Sequence, residues 1–307
     1  MRYRVSHTTT YTYSASVRLH PHVVRLLPRS DSWQTLTSYS LLVKPMPQQQ
    51  SHYTDLDGNH LVKLWFPPDL QTDTLTVQLL SQVETHKDNP FDYLLEAWAL
   101  HLPIDYPSSL LQQLQPYLNG QHIGFSGSLD PLAIQFAQEL WRASAGDTTQ
   151  FLWELNQRIY KECNYLTRET GVPQLPGITW SSKSGSCRDY AVLFAEVCRA
   201  IGLAARFVSG YQEGDPSSTE YHLHAWVEVY LPGAGWRGYD PTHGLVVSDR
   251  HIALVASADH RYAAPLSGTV APANVQAELT YQLLIQGQPS NVIGVPAQTQ
   301  QLSSDSV

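Results

Sequence analysis

The 307-residue chain lacks a long uninterrupted hydrophobic run, although 42% of its residues are hydrophobic. Its most apolar stretch, residues 191–208, is interrupted by Glu196, Arg199 and Arg206. A helix that spans a bilayer needs about 20 mostly apolar residues, and charges near its centre are costly. The first residues also lack the apolar segment of an export signal. We therefore expect no membrane-spanning segment and no membrane partner.

Basic residues are few: 19 Lys and Arg stand against 27 Asp and Glu, which gives a formal net charge of −8. Proteins that bind nucleic acids hold the phosphates mainly through clustered Lys and Arg side chains. This composition argues against a nucleic acid as the main partner.

Cysteine is also scarce. The chain has three cysteines, Cys163, Cys187 and Cys198, and an odd, low number in a chain of this length does not form a disulfide framework. Free thiols persist in the reducing cytoplasm. We therefore expect a cytoplasmic protein with free cysteines.

The residue pattern changes near residues 86–90. Residues 1–88 are rich in β-favouring residues and turn signals, which predicts a small antiparallel β-sandwich or barrel. Residues 89–290 contain apolar residues at helical spacing and then strand patterns, which predicts a mixed α and β core. The last ~20 residues are rich in Gln and Ser and also contain Pro, which predicts a disordered tail over residues 291–307.

Residues 184–190, with the sequence SGSCRDY, place Cys187 in the first turn of a predicted helix. The free N–H groups and the positive dipole end at that position stabilise an anion, which lowers the pKa of a thiol. The same N–H groups can bind the oxyanion that forms when sulfur attacks a carbonyl. Cys187 is therefore the candidate nucleophile, whereas Cys198 falls in the apolar stripe of the same helix and is interpreted as a core residue.

A thiolate nucleophile needs a base and a group that orients the base. Residues 223–230 and 236–240 predict two strands of an antiparallel hairpin, in which His224 and Asp240 share one face. A turn over residues 231–233 would place Asp240 directly opposite His224, with Cβ atoms about 5 Å apart. We expect Asp240 to fix the tautomer of His224 and to raise its pKa, which favours a thiolate–imidazolium pair with Cys187.

A metal site is the alternative interpretation of these histidines. His222 and His224 form a pair on one strand face, but a zinc site needs further ligands at short spacing. Only Glu213, Asp215 and Cys187 are plausible additions. We therefore predict no metal and no other cofactor.

Several motifs resemble those of bacterial transglutaminase-like proteins. The motifs of the core are GSCRDYA (185–191), CRAIGLAARFVSGY (198–211), HAWVEVY (224–230) and GWRGYDPT (235–242). The segments YRVSHTTTY (3–11) and RLLP (25–28) are similar to the β domain that precedes this core in the same proteins. The resemblance implies an α+β fold: an N-terminal antiparallel β-sandwich domain, then a papain-like core with helices packed on an antiparallel sheet.

The resemblance also implies a Cys–His–Asp triad, with Cys187 as nucleophile, His224 as general base and acid, and Asp240 as the orienting residue. The implied chemistry is acyl transfer on amides of a protein or peptide substrate through a thioester. We expect hydrolysis, as in a cysteine peptidase or amidase. Transamidation of glutamine and a non-catalytic peptide-binding scaffold are the alternatives.

Three aromatic residues are candidates for contact with the substrate. Trp226 and Tyr230 lie on the same strand face as His224, so they are expected to line the cleft, with core packing as the equal alternative. Trp180 precedes the nucleophile, and its indole N–H is a candidate second donor to the oxyanion.

Overall fold

A computed structural model describes residues 1–86, 88–118, 129–168, 171–213 and 222–288. The tail predicted at 291–307 and the candidate ligand Asp215 lie outside these residues. The first part of the chain forms the strands β1 (Arg2–Leu19), β2 (His22–Val24), β3 (Gln34–Lys44), β4 (Gln49–Thr54), β5 (His60–Trp65) and β6 (Thr72–Thr85).

The next part supplies the helices α1 (Ser108–Leu118), α2 (Pro131–Ala143), α3 (Thr148–Glu162), α4 (Pro176–Ser182) and α5 (Cys187–Ala200). The remaining strands are β7 (Asn164–Tyr165), β8 (Ser184–Gly185), β9 (Ala205–Gln212), β10 (Leu223–Leu231), β11 (Gly235–Asp240), β12 (Leu245–Val246), β13 (His251–Ser257), β14 (Leu266–Ser267), β15 (Val270–Ala271) and β16 (Ala277–Gln288). The longest described helix, α3, has 15 residues, and no described helix combines the length and the apolar character that a bilayer span requires.

Two antiparallel sheets form the N-terminal sandwich. The first has the order β15–β1–β6–β3, with β16 also paired to β1, and the second has the order β14–β2–β5–β4. Residues alternate along β1, so that Tyr3 and Val5 are buried while Arg2 and Arg4 are exposed. The buried faces of the two sheets share one apolar cluster, which makes this part a sandwich rather than a closed barrel.

The C-terminal strand β16 lies in the N-terminal sandwich. It pairs with β1 over twelve residue pairs, from Arg2↔Gln288 to Tyr13↔Ala277. The sequence analysis placed this segment in the core, because local patterns do not reveal which sheet a strand joins. Pairing with β16 satisfies the outer edge of β1, which would otherwise present unpaired N–H and C=O groups.

The core contains a five-stranded antiparallel sheet with the order β12–β11–β10–β9–β13. Val227 and Val229 of β10 belong to the same apolar cluster as Leu193 and Phe194 of α5, so this helix packs on the sheet. Helices α2 and α4 pack against α5. The α+β fold class is confirmed.

The sandwich and the core share apolar contacts. Tyr211 of β9 and Ile252 of β13 lie in the same cluster as Val5 of β1. The buried ring of His7 adds a polar contact, because its Nδ1 lies 2.8 Å from the hydroxyl of Tyr211. The inner face of the first sheet therefore supports the core.

Candidate active site

Helix α5 begins at Cys187, and its first turn is fixed by Asp189. The Asp189 Oδ2 atom accepts hydrogen bonds from the backbone N–H of Ser186 (2.7 Å) and from the Ser186 hydroxyl (2.8 Å). Gly185 allows this close approach, since a Cβ atom there would lie 2.8 Å from the Cβ of Asp189. The thiol of Cys187 is thus held at the positive end of the helix dipole.

Asp189 also anchors the segment that precedes the helix. Its Oδ1 accepts hydrogen bonds from Arg168 Nη2 and from the backbone N–H of Gln174, both at 2.7 Å. Arg188 donates to the backbone carbonyls of Arg168 and Gly171. The start of α5 is therefore connected by hydrogen bonds to Arg168, Gly171 and Gln174.

His224 and Asp240 are in contact, but in a register that differs from the expectation. The turn of the hairpin spans residues 232–234, since Leu231 pairs with Gly235 and Val227 pairs with Tyr239. Continuing this register places Asp240 level with residue 226, so the predicted direct opposition to His224 is wrong. The two residues nevertheless lie on the same face of the hairpin. As diagonal neighbours they are in contact, with His224 Nε2 2.8 Å from Asp240 Oδ2.

Asp240 is fully buried and accepts hydrogen bonds from three imidazole rings. Its Oδ2 lies 2.8 Å from His224 Nε2, 2.8 Å from His243 Nδ1 and 3.2 Å from His251 Nε2. Its Oδ1 accepts the backbone N–H of Thr242 at 3.0 Å. Burial opposes ionisation of this carboxyl, but the charge of His224 and the imidazole hydrogen bonds outweigh it and hold the pKa of Asp240 well below its usual range.

The pKa values of His224 and Cys187 are shifted in the directions that favour an ion pair. Burial alone would lower the pKa of His224, yet the charge and hydrogen bond of Asp240, with those of Cys187, raise it to about 10. Burial would raise the pKa of the Cys187 thiol, but a hydrogen bond to His224 and the charge of that ring lower it. Since Nε2 of His224 is bound to Asp240, Nδ1 is the ring nitrogen available to the thiol.

Cys187 and His224 open into a cavity of about 620 Å³ between the sandwich and the core. The first sheet lines one surface of the cavity, Leu26 and the segment 264–266 line one side, and the core lines the other. The described lining residues are Thr9, Tyr11, Leu26, Val77, Tyr165, Thr167, Arg168, Gly171, Cys187, Arg188, Ser209, His222, Leu223, His224, Ala225, Ala264, Pro265, Leu266, Leu279 and Tyr281.

Two family models match the two parts of this structure. Residues 3–84 match the bacterial transglutaminase-like N-terminal region. Residues 134–241, which include Cys187, His224 and Asp240, match the transglutaminase-like superfamily. The matched core, residues 134–241, belongs to the transglutaminase-like superfamily.

Relatives of this transglutaminase-like chain cover most of its length. An uncharacterized protein of Mycobacterium tuberculosis is 29% identical over 287 residues, which are 88% of this chain and 87% of that protein. A protein-glutamine gamma-glutamyltransferase of Pseudomonas aeruginosa is 28% identical over 216 residues, 64% of this chain but only 31% of that protein.

A solved structure shares the whole arrangement. That of a candidate cysteine protease from Cytophaga hutchinsonii has a TM-score of 0.69 and 18% sequence identity, and it covers 94% of this chain and 92% of its own. At this level of identity, the similarity shows the fold alone, which combines the sandwich with the transglutaminase-like core.

The three aromatic residues expected to contact substrate lie outside the lining of the cavity. The ring of Trp180 stacks on Phe136 with centroids 3.7 Å apart, so its indole packs among the helices. Trp226 is 1% exposed and fills the space above Gly210, where a Cβ atom would lie 2.3 Å from its ring. Tyr230 packs against Trp236, with centroids 5.5 Å apart. For these three residues, packing is the correct interpretation.

Residues that the sequence analysis did not single out also lie at the transglutaminase-like site. Tyr165 lines the cavity and lies beside the nucleophile because β7 pairs with β8 in parallel, with Tyr165 level with Gly185. His243 and His251 reach Asp240 from the segments that follow β11. His243 lies in the turn after β11 and His251 begins β13, and no periodic pattern along the chain places either of them beside Asp240. The one sequence feature that could have indicated His243 is its position three residues after Asp240.

The described residues that best match a metal-ligand set are His224, Asp240 and His243, whose candidate ligand atoms lie within 4.8 Å of one another. His222, which the sequence pattern paired with His224, is instead hydrogen-bonded to Tyr281. In the structure, Oδ2 of Asp240 accepts hydrogen bonds directly from both of these imidazoles. This geometry is that of an acid–base network.

Proposed function

We propose that the chain cleaves amide bonds of a protein or peptide substrate by thiol-dependent acyl transfer, with Cys187 as nucleophile, His224 as acid and base, and Asp240 as the orienting residue. One observation carries this proposal: a buried imidazole lies between the thiol at the start of α5 and a buried carboxylate that holds its other nitrogen. This arrangement stabilises the thiolate–imidazolium pair that nucleophilic catalysis by cysteine requires.

The first half-reaction forms a thioester. The thiolate of Cys187 attacks the amide carbonyl carbon, a C–S bond forms, and an electron pair moves onto the carbonyl oxygen. The backbone N–H of Cys187, free at the start of α5, donates to that oxyanion. As the oxyanion collapses, the C–N bond breaks and the Nδ1 proton of His224 passes to the leaving amine.

The second half-reaction regenerates the thiolate. Water attacks the thioester carbonyl and gives a proton to Nδ1 of His224. Collapse of the second tetrahedral intermediate breaks the C–S bond and releases a carboxylic acid. Asp240 keeps its hydrogen bond to Nε2 in both steps, so the ring presents Nδ1 to the reacting atoms throughout.

Water is the acceptor we propose, and Arg168, Ser209 and His222 are polar lining residues beside which it can bind. Transamidation requires water to be kept from the thioester while an amine enters. It is the second candidate, because the relative from Pseudomonas aeruginosa is a protein-glutamine gamma-glutamyltransferase. The cytoplasmic location and the peptide nature of the substrate stay predictions.

Alkylation by iodoacetamide across pH tests the nucleophile. We expect Cys187 to react well below about pH 8, where an ordinary thiol is protonated. Cys163 and Cys198 serve as internal controls in the same chain, because burial raises the pKa of Cys163 to about 11 and that of Cys198 well above its usual value. Slow, equal labelling of all three thiols would instead support a non-catalytic scaffold.

Mass spectrometry of the chain incubated with glutamine-containing peptides tests the thioester. We expect an acyl adduct on Cys187 that decays to a carboxylic acid in water and to an amide when a primary amine is added. The Cys187→Ala variant should form no adduct and should keep the circular dichroism spectrum of the parent chain. Turnover by this variant would contradict the mechanism.

A further inference from the structure

The lower surface of the cavity is a patch on one face of the first sheet, made of Thr9, Tyr11, Val77, Leu279 and Tyr281, here called the sheet floor. The strand registers place these residues in two rows across three strands. One row is Tyr281–Thr9–Val77, and the next contains Leu279 beside Tyr11. Side chains in such rows lie close enough to form a continuous surface.

The sheet floor continues the face that supports the core. One row further along the sheet, His7 is fully buried against Tyr211 of the core. At the rows of Thr9 and Tyr11, the cavity separates this face from Cys187 and His224. The core thus covers this face of the first sheet at the row of His7. At the rows of Thr9 and Tyr11, the same face is open to the cavity that contains the thiol of Cys187.

The polar atoms of the sheet floor are largely engaged. The Thr9 hydroxyl is hydrogen-bonded to His7 Nε2 at 2.9 Å, and the Tyr281 hydroxyl contacts His222 Nδ1. The surface offered to a ligand is therefore mainly the rings of Tyr11 and Tyr281 and the side chain of Leu279, because Val77 is fully buried beneath them. On the opposite side, the charged residues among the described lining residues are Arg168 and Arg188, with no carboxylate.

We propose that the substrate carries a bulky apolar side chain, aromatic or leucine-like, next to the amide that Cys187 attacks, and that this side chain binds on the sheet floor. This inference rests on the proposed function, since it places the reacting amide at Cys187. The N-terminal sandwich, through strands β1, β6 and β16, then forms the surface that selects the substrate side chain.

The size and charge of the cavity favour this class of side chain. A volume of about 620 Å³ falls within the range of pockets that enclose most of a peptide-sized ligand. Transfer of a large apolar side chain from water onto aromatic and aliphatic surface is favourable. A lysine or arginine side chain is disfavoured because the described lining offers it no carboxylate and places the like charge of Arg188 nearby.

Binding to the Cys187→Ala variant tests the inference without turnover. The probes are fluorescein-labelled, blocked tetrapeptides Ala-X-Gln-Gly, in which X is Phe, Leu, Ala, Asp or Lys, and the readout is fluorescence anisotropy. We expect the Phe and Leu peptides to bind about tenfold more tightly than the Ala peptide, a typical discrimination for a hydrophobic pocket. The Asp and Lys peptides should show no gain over Ala.

A matched pair of substitutions on β16 locates the subsite. Leu279→Asp, in the Cys187→Ala background, should abolish the preference for Phe and Leu, because it places a charge on the sheet floor. Leu284→Asp is the control: it changes the same residue type on the same strand, but on the outer face, where Leu284 is 50% exposed. It should leave the preference unchanged. Leu279→Ala, a smaller change, repeats the test if Leu279→Asp does not fold.

Two results would overturn the inference. One is tightest binding of the Asp peptide, which would assign recognition to Arg168 and Arg188. The other is an unchanged preference for Phe and Leu in a folded Leu279 variant. Failure of the proposed function is a separate result, because it shows as the absence of a Cys187 thioester in the unmodified chain, whereas peptide binding is measured in a variant that cannot form one.

Discussion

Asp240 controls the electrostatics of the candidate site at the scale of single residues. One of its oxygens accepts hydrogen bonds from three imidazoles, so the carboxylate can neither rotate nor take up a proton easily. His251 is 2% exposed at its side chain and comes from β13, whereas His243 is 41% exposed and follows β11 directly. The buried contact predicts that His251 is a positioning residue, which holds Asp240 for His224.

Substitution of His251 tests this positioning role. We expect His251→Leu to lower kcat about tenfold with little change in KM, since it removes a hydrogen bond to a charged group worth roughly 1.5 kcal/mol. His251→Gln keeps an N–H donor and should restore most of the activity. Steady-state kinetics with a labelled peptide provides the measurement, and equal loss in both variants would mean that His251 only fills space.

The pKa of His224 predicts how activity and thiol reactivity diverge at high pH. In the proposed mechanism its imidazolium supplies the proton to the leaving amine, so we expect kcat/KM to fall as pH rises through about 10 and His224 loses that proton. Alkylation of Cys187 should not fall there, because the thiol stays ionised. Parallel pH profiles of turnover and of iodoacetamide labelling check this, and a common alkaline decline would contradict it.

The first turn of α5 shows how an element places a nucleophile. Asp189 is fully buried and joins the N-cap residue Ser186 to Arg168. Because the same carboxylate caps the helix and binds Arg168, the position of Cys187 and the shape of the cavity edge depend on one side chain.

We expect Asp189→Asn to lower the free energy of unfolding by about 2–3 kcal/mol, because it removes the charge of a buried ion pair whose Arg168 partner is partly exposed. Glu162→Gln is the matched control, since Glu162 pairs with Arg158 and Lys183 at a half-exposed site and should cost less than about 1 kcal/mol. Urea denaturation measures both. Equal destabilisation would refute the special role of Asp189.

The β10–β11 hairpin shows which part of an element is predictable. Parity along the two strands correctly placed His224 and Asp240 on one face, because side chains alternate in any extended strand. The register was wrong by two residues, because the turn begins one residue later, at Pro232. There Pro232 accepts a hydrogen bond from the backbone N–H of Glu96, a contact between segments that no local pattern encodes.

At the scale of the whole molecule, the site needs both ends of the described chain. Strand β1 and strand β16 are paired along most of their length, and both contribute to the lining of the cavity. The core contributes Cys187, His224 and Asp240, whereas the sandwich contributes the surface that faces them.

Truncation of the chain tests the contribution of the β1–β16 pairing to stability. A chain that ends at residue 276 lacks β16, so we expect its melting temperature to fall by about 5–10 °C and its aggregation to rise, because the edge of β1 loses its partner. A chain that ends at residue 288 is the control and should melt like the full chain. Circular dichroism and size-exclusion chromatography provide the measurements, and equal melting of the two truncated chains would contradict the prediction.

The sequence by itself determined most strand and helix types and the family resemblance, and it predicted that Cys187, His224 and Asp240 lie together, because periodicity and motif spacing are local properties of the chain. Only the tertiary structure decided which sheet β16 joins, which residues line the cavity, and that Trp180, Trp226 and Tyr230 are packing residues. It also brought His243 and His251 to Asp240. These features depend on contacts between segments far apart in sequence, and such contacts are set by how apolar faces and strand edges are buried together.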